Sequence, residues 1–406
     1  MFVGTATARP SQARWVTVAS AACFLIVLAA EGAGRVQQPR ALQTVAPVPL
    51  VAAIAQLGNL DYSVRTDAAR TIRRTSGSEA VPALLNAVAG DADGYVRYRS
   101  LVLLTGFNDI RIKAAMQESL ASPNDRLRTV AYGYFEKNPD PAMAPLLLKA
   151  LEKEAAEFVR PAVIRALAAL GADSRVRAVL VRESGRGEDF FRSSVIEALG
   201  DFKAVYAVDA LIAIANLEGP LVDDAALALG KVGEQRAFDT LARLRMDRLR
   251  SVQPFVAAAM CLLGTDCEPH EQFLIQTLAY SDTNGGFPEL MRGAAAGLGA
   301  LAVEGRKSAL VALFHAGVAS RDPTRARVAL AVATVALRNT PVMLSALQQH
   351  ASPVDAIALL AEGFDMLEED LEKERFFVAV RRAYWEVPET SPTRALMQAL
   401  IEKLDF

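Results

Sequence analysis

A chain of 406 residues is long enough for two or three ordinary domains or for one long repeat array. Its 44 Lys and Arg against 46 Asp and Glu leave a net charge of −2, which argues against a protein living on nucleic-acid phosphates. Three cysteines exclude a disulfide framework, three scattered histidines exclude a multi-histidine metal centre, and 52% apolar with 7% aromatic residues points to helices packed through small side chains.

In chain order, the first segment is unlike the rest. Trp15 to Ala30 carries no charge, with Arg9 and Arg14 before it and the first acid at Glu31. A basic start, a short apolar run and then small residues describe a secretory signal peptide, and an uncleaved anchor is the alternative. Residues 1–34 are therefore read as a signal peptide or N-terminal membrane anchor, with membrane attachment through residues 15–30. Cys23 lies inside the apolar run and is read as part of it. Residues 35–47, with Pro39 and Pro47, read as a flexible linker. On this reading the remainder is exported (periplasmic) or held outside the cytoplasm.

From there to residue 365 one phrase recurs. The pattern V-R-x-x-A-A-x-A-L-G begins at Val64, Val96, Leu127, Val159, Phe191, Leu221, Phe255, Met291, Ala326 and Val354, with starts 28 to 36 residues apart. A period of thirty-odd residues marks a solenoid. Upstream of each match is an apolar segment of helical period, such as 142–151 and 237–244. Each unit is thus a helix A followed by a helix B. Gly171, Gly200, Gly230 and Gly264 are expected to close their B helices, and Pro82 to sit near the start of its A helix. No single pair can bury both of its apolar faces, so pairs must stack. The expected fold is all-α, an α-solenoid of about ten helix pairs over 48–365. Residues 366–406 are expected to form capping helices over the open end of the stack.

The repeat resembles the HEAT-repeat superfamily, and within it the short HEAT-like repeats named after phycobilisome lyases. The resemblance covers roughly residues 50–365 and implies a curved, stacked scaffold.

Arg65, Arg97, Arg128, Arg160 and Arg192 fill one slot in five successive units, each three or four residues after an acid: Asp61, Asp93, Asp125, Glu157 and Asp189. The acids are expected to cap the B helices and the arginines to bridge to an acid of the adjacent unit. In HEAT-like families such a ladder is structural, and it is read so here. Val222 and Val256 interrupt it, Arg292 and Arg327 resume it, and Asp355 ends it.

Partner-binding candidates are the B-helix residues Tyr98, Tyr132, Arg165 and Glu197, placed beside the ladder on the expected concave face. Asn284 and Phe287 join them from the longest interruption within a unit, 280–290. His270-Glu271 is the only His-Glu pair, too few for the iron site of HEAT-like deoxyhypusine hydroxylase. Cys261 and Cys267 fit a disulfide as well as two free thiols. No catalytic residue, cofactor or metal ligand is assigned. The expected function is a non-catalytic scaffold that binds a protein partner and no nucleic acid, as a monomer or a component of a larger complex. The alternatives are a lyase-like protein handling a chromophore or small ligand, and a nucleic-acid-binding HEAT array.

Overall fold

The computed structural model describes residues 50–246 and 251–406. The expected leader, Cys23 and the linker lie outside the described residues. Every regular element among the described residues is helical.

The helices fall into ten A–B pairs. Units one to three are α1 (Leu50–Gln56) with α2 (Tyr62–Arg74), α3 (Gly77–Gly90) with α4 (Gly94–Leu104), and α5 (Arg111–Ser119) with α6 (Asp125–Lys137). Units four to six are α7 (Ala144–Lys153) with α8 (Arg160–Ala168), α9 (Ser174–Ser184) with α10 (Asp189–Asp201), and α11 (Val208–Ala215) with α12 (Val222–Val232). Units seven and eight are α13 (Phe238–Met246) with α14 (Gln253–Leu262) and α15 (Cys267–Thr283) with α16 (Pro288–Val303). Units nine and ten are α17 (Lys307–Ala319) with α18 (Thr324–Arg338) and α19 (Thr340–Gln349) with α20 (Pro353–Met366). Two helices follow, α21 (Asp370–Glu386) and α22 (Pro392–Leu404).

The division of labour within a pair follows from side-chain pattern. An A helix buries one stripe, as α7 does with Ala144, Leu147 and Leu151 at i, i+3 and i+7. A B helix is covered by its own A helix and by the B helices before and after it, so α14 is buried at every position from Gln253 to Met260. Two of the acids cap as expected: Asp61 accepts from the Ser63 amide and Asp93 from the Tyr95 amide. In α6 that place is taken by Asn124, one residue earlier than Asp125.

From α4 onward neighbouring B helices touch far more closely than neighbouring A helices, and this bends the stack with the B helices inside. The reason is steric. A Cβ on Gly230 of α12 would lie 2.3 Å from the Ala259 Cα of α14. Glycine is therefore used here for backbone approach and not for chain reversal. This corrects the expected glycine roles. Gly200 and Gly230 lie inside their helices, and α12 is closed instead by Gly233 in the left-handed region (φ 77°). Of the four expected closers, Gly264 has the left-handed φ, at 90°. Pro82 likewise sits in the interior of α3, beyond its first turn.

The curvature brings the two ends of the described stack together. α21 packs on α18 and α22 on one side, and on α4 on the other. Its Leu371 joins the hydrophobic core of units one to seven, while its Phe376 and Val380 join that of units seven to ten. Glu374, 1% exposed, receives Arg73 of α2 through Nε at 2.9 Å and Nη2 at 2.6 Å. Arg73 also lies over the Phe377 ring at 5.2 Å. Asp370 accepts from Tyr98 Oη at 2.7 Å and Arg99 Nη1 at 2.5 Å, and Arg70 pairs with Asp405. Gly133 of α6 leaves the space that Leu371 fills: a Cβ there would stand 2.6 Å from Leu371 Cδ2. The C-terminal helices thus pack on the last units and fasten them to the first three.

Candidate functional site

Inside the curve, B helices α6, α8, α10, α12, α16 and α18 enclose a cavity of about 560 Å³. Its floor is built from small residues of two adjacent helices, Ala295, Ala296, Gly299 and Ala300 on α16 and Ala331 on α18, with Leu227, Leu330 and Phe202 beside them. Its rim carries Lys137, Arg165, Lys231, Arg292, Arg327 and Arg338 against Glu197, Asp201 and Glu304.

Most of that charge is already paired. Arg165 lies between Glu136 at 3.1 Å and Asp201 at 2.8 Å, and Lys231 completes the chain on Asp201 at 2.6 Å. Burial works against the Arg165 cation, but Glu136, Asp201 and Glu197 outweigh it and hold the proton more tightly than usual. Asp201 is likewise kept ionised by Lys231 and Arg165 in spite of burial. Arg292 reaches Asp223, two units back, at 3.0 Å, and Arg338 pairs with Glu369 at 3.0 Å. Near this group Asp224 is pushed up to about 6, chiefly by burial and then by Asp223 and Glu197. The Arg327 guanidinium has no hydrogen-bond or ion-pair partner among the described residues.

Of the six partner-binding candidates, the cavity unites Arg165 and Glu197. Tyr98 faces the concave side but is engaged by Asp370 of α21. Tyr132 is a core side chain, 1% exposed, and a partner cannot reach it; burial, with Glu154 beside it, pushes its hydroxyl up to about 12. Asn284 and Phe287 lie away from the cavity. The expected interruption at 280–290 is mostly helix: α15 runs to Thr283, Asn284 ends it by donating to the Tyr280 carbonyl at 2.8 Å, and the Phe287 ring lies tilted against Tyr280 with centroids 5.4 Å apart. Glu271, the acid of the His-Glu pair, is buried against Arg306.

The arginine ladder serves mainly its own units. Arg65 donates to the Asn59 and Leu60 carbonyls in the turn between its own A and B helices, and Arg97 and Arg192 donate to the Val88 and Ser184 carbonyls in the last turn of their own A helices. Acids of the following unit are met by Arg128, through Glu154 at 2.8 Å, and by Arg160, through Glu183 at 4.0 Å. Both acids lie at the end of an A helix, where the carbonyls need donors, and not at a B-helix start. Arg160 also lies over the Phe191 ring of the next unit at 4.2 Å. In unit seven the same task falls to Gln253, which donates to Leu244 O at 2.8 Å, and in unit nine to Arg325, which donates to Gly317 O at 3.0 Å. Both were missed in the repeat because they stand before the aligned slot.

A second surface was also missed. The residue before the first buried position of helix B is Tyr95, Arg126, Phe158 and Phe190 in units two to five. Phe158 is 83% exposed and Phe190 50%, with ring centroids 6.1 Å apart. Toward unit one the row continues as Arg126 over Tyr95 at 5.6 Å, Arg65 over Tyr95 at 6.0 Å and Arg65 over Tyr62 at 5.6 Å. Since the B helices run side by side in one direction, these groups share one edge of the stack.

No protein-family model and no curated protein matches the chain. Among solved structures it is similar to the complex of CpcE and CpcF of phycocyanin lyase from Nostoc sp. PCC7120, at 22% identity and TM-score 0.40, over 63% of this chain and 94% of that one. It is also similar to importin beta, at 12% identity and TM-score 0.35, over 87% of this chain and 57% of that one. A third similar structure is Kap121p bound to Nup53p, at 11% identity and TM-score 0.29, over 87% of this chain and 45% of that one. The HEAT-like architecture expected from the repeat is the stack of helix pairs described above.

Proposed function

We propose that this chain is a non-catalytic scaffold, exported or membrane-anchored, that binds a protein partner along the aromatic and arginine edge of units one to five. The observation that carries the reading is that edge. Phe158 and Phe190 are large, exposed and adjacent, and they repeat at one register with Tyr95 and Arg126. Tyr, Phe and Arg are the side chains that anchor protein interfaces, and a pre-ordered row loses little entropy on docking. The concave face of the first three units is less available, because α21 of the same chain occupies it. Export is supported by the leader-like residues 15–30 and by the paired Cys261–Cys267, a bond that persists in oxidising compartments.

The test is affinity capture from the envelope fraction of the native host with a C-terminal tag, run in parallel on the natural chain and on Phe158→Ala/Phe190→Ala. A protein retained by the first and lost by the second supports the reading. Equal capture by both chains refutes the assigned edge, and a natural chain found soluble in the cytoplasm refutes export.

A further inference from the structure

The ladder position of unit nine is where repeat and structure part company. In units one, two, three and five the slot arginine turns back to a carbonyl in the last turn of its own A helix or in the turn that follows. In unit nine Arg325 has taken that contact and also pairs with Glu362 at 2.7 Å. Arg327, in the aligned slot, is released from structural duty and lines the central cavity without a partner among the described residues. Arg292, at the same slot one unit earlier, lines the cavity beside it but is already held by Asp223 at 3.0 Å and Glu289 at 3.1 Å.

We propose that the central cavity binds an amphipathic anion, with its carboxylate or phosphate at Arg327 and its apolar body along the alanine floor of α16 and α18. Three observations meet in this site. The volume of about 560 Å³ lies within the usual range for small-molecule clefts. The floor has no polar side chain to satisfy between the arginine end and the far end of α18 except Thr334, whose hydroxyl already donates to Leu330 O at 2.9 Å. From Arg327 to Arg338 the helix advances about 16 Å, so the apolar strip is elongated and has a cation at each end. A planar guanidinium without a protein acceptor matches a carboxylate or phosphate in two-point geometry. The acids of the rim do not oppose this equally, since Asp201 and Glu304 are committed to Lys231 and Lys203.

The experiment is calorimetric titration of the full chain with laurate, dodecyl phosphate, 1-dodecanol and inorganic phosphate. Laurate, dodecyl phosphate or both should bind at one per chain, and which of them binds identifies the head group. Arg327→Gln should weaken that binding roughly tenfold or more without lowering the melting temperature, because the side chain supports no other group. Ala296→Leu, which fills the floor while leaving Arg327, should weaken it as well. Dodecanol and inorganic phosphate should each bind far more weakly, because each offers half of the complement. The proposal is overturned by no binding of either amphipathic anion, by affinity unchanged in Arg327→Gln, or by dodecanol binding as tightly as laurate.

Discussion

Replacing Glu374 by Ala should unfasten the closure of the stack. The carboxylate is 1% exposed and the Arg73 side chain 6%, and two nitrogens of Arg73 hold it at 2.9 and 2.6 Å while Arg381 approaches at 3.4 Å. Removal leaves the Arg73 guanidinium buried without its anion, a change that costs about 3–5 kcal/mol in such sites. The cost falls on one contact between units far apart in sequence. It should therefore appear first as opening of α21 from α2 and α4, with the opening equilibrium shifted by roughly a hundredfold or more. Native-state hydrogen exchange read on the amides of α2, α4 and α21 measures this directly, with α12 as an internal control that should not change. A second chain, Arg73→Met/Glu374→Leu/Arg381→Met, separates charge from packing: with all three ions gone, protection should return to near the natural level. Exchange in α21 that is unchanged in Glu374→Ala would refute the view that this pair holds the ends together.

Other outcomes follow from the same structure. Gly230→Ala must push a Cβ to 2.3 Å from the Ala259 Cα, so α12 and α14 have to separate. A loss of about 1–3 kcal/mol in thermal denaturation is expected, whereas Gly90→Ala, with nothing within 4 Å, should be neutral or gain about 0.5 kcal/mol. Asp224 has its folded pKa raised from 3.8 to about 6 by burial, so the fold favours the neutral acid. The resulting penalty is present above about pH 6 and fades as pH falls toward 3.8. Urea unfolding should show Asp224→Asn more stable than the natural chain at pH 7.5, by about 1–2 kcal/mol, with the difference vanishing near pH 4. The Cys261–Cys267 bond spans a separation of six residues between the end of α14 and the start of α15. Its reduction should cost about 2 kcal/mol, read as a lower melting temperature with reductant that is absent in a Cys261→Ala/Cys267→Ala chain.

The architecture was legible because it is written locally and repeatedly. All ten pattern starts fall in or beside the first turn of a B helix, since each unit must show its neighbour the same apolar face. What the arginines would bond was not legible. Their acceptors are mostly backbone carbonyls, which every residue carries, so side-chain identity points to acids instead. Gln253 and Arg325 escaped for the related reason that reach to a carbonyl matters more than alignment. The glycines misled because one residue type serves both chain reversal and close approach, and the local sequence of Gly230 does not distinguish them. Arg165 and Glu197 line the cavity, whereas Tyr132, which belongs to the same class of B-helix position, turns into the core. The edge row is visible in the sequence as Phe158 and Phe190, which stand immediately before the pattern starts Val159 and Phe191.

An open stack of repeats can be lengthened or shortened by one unit at little risk, because only the neighbours notice. Here the last helices must arrive at Arg73, Arg99 and Gly133 with the right pitch. Inserting or deleting a single helix pair anywhere along the chain would rotate the far end past its landing place. The number of modules in this protein is therefore set by circumference, and relatives that keep the fastening should keep the count.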